Sequence, residues 1–386
     1  MISIGADKII STILKHDRKQ NTYKFALLRA INDVVLSFPD IRHHGQDAAI
    51  PLRMLAEFWL AYYWPFVDAL NPIMQGQRAT RDGKLSNDMA FRTDLTAFRA
   101  MWQEAWGNTG SPADGFFVIE EMRVQRHRDG YSKELLKAYN KTLSSISKAI
   151  TQPIQYAGVG QWSVFDKPQR YNQLQNVAVI PGTQENDICL VVKADLWQGF
   201  RELSLWIEAL CIHEWCLFTE TVEQQHGRAL DRGIVYVMLT TRPDNRRPLT
   251  WERNHIDVLL MEGFKFICPW TEQVIKKEVT YDLDHLIPIS VYPINELWNL
   301  VPSDPDFNSH KKRDKLPSAD KLYKAQPHLI RAYEHYNHSE QLSQALQEDV
   351  YGRFSDVPSR QFSESIAIAV VDFISSVTEA RNLPQF

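Results

Sequence analysis

Cysteine is scarce in this chain, with four in 386 residues. That excludes a disulfide-stapled secreted scaffold. Because no secretory signal stands at the N-terminus, the expectation is a protein of the reducing cytoplasm. Long apolar runs are missing as well. The nearest, residues 54–70, is interrupted by Glu57, Pro65 and Asp68 and reads as a buried aromatic helix rather than a membrane span. Excess positive charge is absent: the formal net charge is −4, which is not the footprint of a protein that coats nucleic acid nonspecifically. There is no internal repeat or low-complexity tract. Gly158-Val159-Gly160 lacks the rest of a nucleotide-binding fingerprint and reads as a β-turn. What remains is an ordinary globular composition, 44% hydrophobic and 23% charged, in a length comfortable for two domains.

Hydrophobic periodicity makes most of the chain helical. Apolar stripes cover 5–39, a helix opens at Pro51, and further helices run over 91–106 and 114–150 with a break at Asp129-Gly130. From 153 the texture changes. Ile154-Gln155-Tyr156, residues 162–165, 177–180 and 188–192 read as strands of a small β insert near 153–193. A long helix is predicted over 194–222. Its Cys211 and Cys216 stand five apart on different helix faces with His213 out of phase, so they read as buried thiols rather than a zinc site. Helices over 230–240 and 251–262 follow, separated by the clearest linker signal in the chain, RPDNRRP at 242–248. Beyond Pro317 come helices over 319–336, 339–354 and 362–381. The last has an apolar centre at 366–371 and is expected to pack on the N-terminal body or form an oligomer interface.

The chemistry gathers in residues 281–317, YDLDHLIPISVYPINELWNLVPSDPDFNSHKKRDKLP. Hydrolysing a phosphodiester needs an activated water, stabilised charge on the transition state and a stabilised leaving oxygen. His285 can take a proton near neutral pH and suits a general base. Asp284 and Asn308 offer hard oxygen ligands, which favour Mg²⁺ or Mn²⁺ over Zn²⁺. Lys311, three residues after Asn308, would face the same phosphate on a helix. The local pattern reads as strand, loop, strand-like turn and helix, with Asn299 a polar residue inside an apolar run.

This stretch resembles the HNH (ββα-metal) endonuclease motif in its H-N-N variant. It is similar to the HNH domain of RNA-guided CRISPR effector nucleases and to HNH cassettes of bacterial restriction and anti-phage proteins. Cys268-Pro269-Trp270-Thr271 upstream and Lys315-Leu316-Pro317 downstream extend the likeness. The resemblance implies His285 as general base and Asp284 and Asn308 as ligands of Mg²⁺ or Mn²⁺. Asn299 would pin the loop that aims His285, Lys311 would contact the phosphate, and Asp282 would be a supporting acid. His310 is the alternative third position, with the spacing from Asn299 favouring Asn308. Many HNH proteins bind a structural zinc through two C-x-x-C pairs. Only Cys268 stands in this region, so packing must hold the fold.

Residues 261–318 carry seven Lys/Arg against nine Asp/Glu, so any grip on nucleic acid must be local. Lys276, Lys277, Lys311, Lys312, Arg313 and Lys315 are the candidates, while Arg246-Arg247 and Arg123 with Arg126 and Arg128 are further basic clusters that read as solvated surface. The expected architecture is a mainly helical body over 1–260 with the β insert, a ββα-metal nuclease at 261–318, and a C-terminal helical segment at 319–386. The expected function is a metal-dependent endonuclease acting on DNA, with RNA not excluded by any residue. The setting would be bacterial anti-phage defence or restriction, with an activating or targeting protein partner. A subunit of a multi-protein complex of CRISPR type and a non-catalytic nucleic-acid binder are the alternatives. Cutting both strands would take a homodimer or two successive nicks.

Overall fold

The computed structural model describes residues 5–41, 45–77, 80–81, 84–85, 87–107, 110–241, 248–292, 295–354, 357–381 and 383–386. Most of the linker at 242–248, including Arg246 and Arg247, lies outside them. The chain is mainly helical with small sheets, and it divides into two compact units. The first comprises Met1–Ile119 and Gly130–Arg242, the second Glu120–Asp129 and Pro243–Phe386.

In the first unit, helices Tyr23–Ser37, Leu52–Tyr63 and Lys133–Gln155 enclose an aromatic core of Tyr23, Trp59, Tyr63, Phe91 and Trp215. Two of its polar groups are matched: Tyr63 Oη lies 2.8 Å from Thr22 Oγ1, and Trp215 Nε1 donates to Gln75 Oε1 at 2.6 Å. The β insert is smaller than its sequence promises. Ile154 and Gln155 belong to the helix Lys133–Gln155, because Leu143, Ile146, Ile150 and Ile154 extend one buried stripe at helical spacing. No strand forms at 162–165. The sheet takes Asp47–Pro51 instead, which lies between Ile188–Val192 (antiparallel) and Val177–Val179 (parallel), with Gln169–Arg170 beyond Ile188–Val192. The predicted long helix breaks at Leu203 into Ala194–Glu202 and Ser204–Gln225. Cys211 and Cys216 are buried, and burial pushes both thiols well above their ordinary pKa.

The second unit carries the motif. A two-stranded antiparallel hairpin pairs Asp282–His285 with Leu300–Ser303, His285 opposite Leu300 and Asp284 opposite Val301. A short helix, Pro305–Phe307, then runs into a single π turn, Asn308–Lys312. The C-terminal helices Ala319–Tyr336, Glu340–Arg353 and Phe362–Arg381 belong to this same unit. Their sequence suggests packing on the N-terminal body or an oligomer interface. In fact their apolar faces share one core with the hairpin, built on Trp298, Leu300, Tyr333, Tyr336, Leu346 and Phe373. The match extends to the polar groups. Tyr333 Oη donates to the carbonyl of Trp298 at 2.7 Å and Tyr336 Oη to that of Leu300 at 2.8 Å. Asp349 Oδ2 accepts from Leu297 N at 2.7 Å. Groups that leave the hairpin's backbone short of partners are thus supplied by the C-terminal helices.

Beside this core, Glu296 Oε2 accepts from Tyr292 Oη at 2.7 Å and from Trp298 Nε1 at 2.9 Å. Burial, with the charge of Asp349 behind it, raises the Glu296 pKa from 4.5 to about 7. A carboxyl whose folded pKa is raised holds its proton in the folded state where the unfolded chain has lost it. Its contribution to stability is therefore full below pH 4.5 and lost as pH rises through about 7. Glu296→Gln keeps an acceptor for both donors and cannot ionise. Its stability relative to the parent protein should grow between pH 5 and pH 8 in urea melts, and a difference that stays flat with pH would refute the assignment.

Candidate active site

The hairpin brings the sequence candidates together by the pleat. Asp282 and Asp284, two apart on one strand, share a face. Both meet the π turn: Asn308 Nδ2 donates to Asp282 Oδ2 at 3.1 Å, and Lys312 Nζ donates to Asp284 Oδ1 at 2.9 Å. Trp270 Nε1 lies 3.3 Å from the other oxygen of Asp284. The turn itself is set by Asp304, whose carboxylate caps Asp306 and Phe307 N–H groups, and whose own N–H donates to the Cys268 thiol at 3.3 Å. Cys268 therefore ties the segment before the hairpin to the start of the helix.

Lys312 rather than Lys311 is the cation at Asp284. The hydrogen bond from Arg313 N to Asn308 O (2.9 Å) is of the i to i+5 kind, and the wider turn places residue i+4, not i+3, beneath Asn308. Lys311 stays exposed, and Lys312, assigned from sequence to a nucleic-acid surface, is 1% exposed and paired. Lys276, Lys277 and Arg313 are exposed and Lys315 is half-buried. His310 is exposed, with its ring 3.1 Å from the Asp306 carbonyl, while Asn308 sits beside the acids.

Asn299 clasps the loop after His285 from both sides. Its Oδ1 accepts from Ile287 N at 2.8 Å, its Nδ2 donates to Ile287 O at 3.0 Å, and its carbonyl accepts from Leu286 N at 2.8 Å. His285 is 9% exposed, and that burial pushes the imidazole pKa below its ordinary value, against the opposing effects of Asn295 and Asp284. The neutral ring, the form able to accept a proton, is favoured at pH 7. Its Nε2 lies 2.5 Å from Asn295 Oδ1. Asn295 Nδ2 donates to Glu120, and the Asn295 carbonyl accepts from Arg126 Nη2 at 2.8 Å.

Sequence reading misses Asn295, Glu120 and Trp270 as site residues, and it takes Arg126 for a solvated surface cation where the structure pairs it with Asp349, Glu252 and the Asn295 carbonyl. Asn295 stands in the motif itself, ten residues after His285. Glu120 stands 175 residues before Asn295, and its only signal is an acid pair, Glu120-Glu121, inside the apolar run of the helix Asp114–Arg123.

The donor set fits a hard divalent cation. A carboxylate has four lone-pair sites, and the contacts described use two of those of Asp284. Asp282 and Asn308 add oxygen donors on the same face. Among the described residues no three His, Cys, Asp or Glu side chains cluster tightly enough to hold a metal by themselves.

Comparison with known proteins agrees with this geometry. Residues 268–318 match the HNH endonuclease family. The chain thus carries an HNH endonuclease domain, whose activity class is phosphodiester hydrolysis, whose substrate is a nucleic acid and whose family typically uses a divalent metal. Residues 3–239, more than half of the chain, match a domain of unknown function, DUF8808, and the chain belongs to that family. No curated protein and no solved structure matches it. Among the described residues no helix is long and apolar enough to cross a membrane.

Proposed function

We propose that this protein is a Mg²⁺- or Mn²⁺-dependent endonuclease that cuts DNA one strand at a time. The observation that carries the reading is the convergence of Asp282, Asp284 and Asn308 on one face of the hairpin that ends in His285, within the segment matching the HNH family. In the proposed chemistry His285 Nδ1 takes a proton from a water that attacks the phosphorus in line. The P–O3′ bond breaks and the departing 3′-oxygen takes a proton from solvent, leaving a 5′-phosphate and a 3′-hydroxyl. Asp284 and Asn308 would hold the cation. When bound it supplies charge stabilisation at the phosphoryl and leaving oxygens. Asn299 keeps the loop that follows His285 in place, and Asp282 orients the Asn308 amide. Lys311, Arg313, Lys276 and Lys277 are exposed and available to phosphates, while Lys312 balances Asp284. An anti-phage or restriction role, released by a partner or signal acting on the DUF8808 part, rests on the pairing of this cassette with a large helical body.

The test is supercoiled plasmid and single-stranded RNA with Mg²⁺, Mn²⁺ or EDTA, beside Asp284→Ala. Metal-dependent nicking of plasmid, lost in EDTA and in the variant, is expected. Nicking that survives EDTA overturns the reading, and cutting of RNA alone moves the substrate.

A further inference from the structure

We propose that Glu120 and Asn295 are positioning residues for His285, so that the nuclease site is incomplete without the segment Glu120–Asp129. This rests on the reading of His285 as the base. All four residues concerned, Glu120, Arg126, His285 and Asn295, lie in the second unit.

An amide has one accepting and one donating end. Asn295 is fully buried and its Nδ2 faces the Glu120 carboxylate, which accepts. Its Oδ1 must then face the imidazole, 2.5 Å away, and an oxygen acceptor there requires a proton on His285 Nε2. The lone pair is left on Nδ1, the nitrogen the proposed chemistry uses. Arg126, bonded to the Asn295 carbonyl at 2.8 Å, fixes the backbone so that the amide keeps this place. The acid at the far end of the relay thus sets the tautomer of the base without touching substrate. Glu120 and Arg126 fall within the DUF8808 match, not the HNH match.

Glu120→Gln is the informative change, because glutamine presents both a donor and an acceptor. It lets the Asn295 amide reverse, and a reversed amide offers N–H to Nε2 and drives the proton to Nδ1. Long-range ¹H–¹⁵N spectra of the whole protein report the tautomer of each histidine. The His285 signals are those missing from His285→Ala. The expected result is an Nε2–H imidazole in the parent protein, a mixed or reversed tautomer in Glu120→Gln, and a fall in kcat of about 10- to 100-fold with KM nearly unchanged. An Nδ1–H imidazole in the parent protein overturns the proposal. So does a tautomer that stays in Glu120→Gln, or a kcat that stays while the tautomer moves. If His285→Ala cuts as fast as the parent protein, the base assignment fails instead, and the spectra still decide the relay.

Discussion

His285→Ala is expected to lower the rate of metal-dependent strand cleavage by about 10³-fold, the middle of the range that a positioned proton acceptor supplies. The fold should survive. The ring sits at the end of a strand whose pairing is backbone to backbone, and its loss leaves one hydrogen-bond acceptor, Asn295 Oδ1, to find another donor. That costs about 1–3 kcal/mol at most. Binding of metal and DNA should change little, because Asp284, Asn308 and the exposed cations are untouched. Single-turnover nicking of supercoiled plasmid, with affinity measured separately in Ca²⁺, separates these effects. A variant that binds and cuts like the parent protein removes His285 from the chemistry.

The largest effect on stability should come from Arg126→Ala. Arg126 places Nη1 2.9 and 2.7 Å from the two oxygens of Asp349 and Nη2 3.2 Å from Glu252 Oε1, and also holds the Asn295 carbonyl. Both carboxylate side chains are nearly buried, at 5% and 2% exposure. A buried ion network adds little over apolar packing, but removing one partner strands the charges of the others and costs about 3–5 kcal/mol. The pH dependence identifies the cause. Burial already raises the Asp349 pKa even with Arg126 present. Without it, the stranded carboxylates should take up protons as pH falls, and the penalty should shrink. Urea melts of the variant and the parent protein at pH 5 and pH 8 measure this. A loss of equal size at both would assign the effect to packing. Because Asn295 loses its anchor as well, the surviving folded protein should cut more slowly.

Much of this molecule can be read from its sequence where the signal is local. The three C-terminal helices keep the bounds that periodicity gives them to within a residue or two, and the hairpin stands where the motif places it. Asn299 clasps the loop after His285 because both residues lie in one short segment. The misreadings come from longer range or finer geometry. Ile154 alternates like a strand over three residues, but the preceding twenty make it helical. Lys312, read as a surface cation, turns inward to Asp284 because a π turn, which residue spacing does not reveal, rotates the register. Glu120 is invisible as a site residue because only folding brings it to Asn295. The C-terminal helices announce an apolar face but not what it covers, and here it covers the hairpin.

The placement of residues 120–129 bears on how such a gene could change hands. A recombination that moved residues 243–386 into a new reading frame would transfer every letter of the HNH signature. It would leave behind Glu120 and Arg126, encoded more than a hundred codons upstream. The recipient would inherit a recognisable motif with an unsteady histidine. If Glu120 positions His285 as proposed, the smallest transferable unit of this nuclease site is larger than its signature, because part of it is encoded within the DUF8808 match.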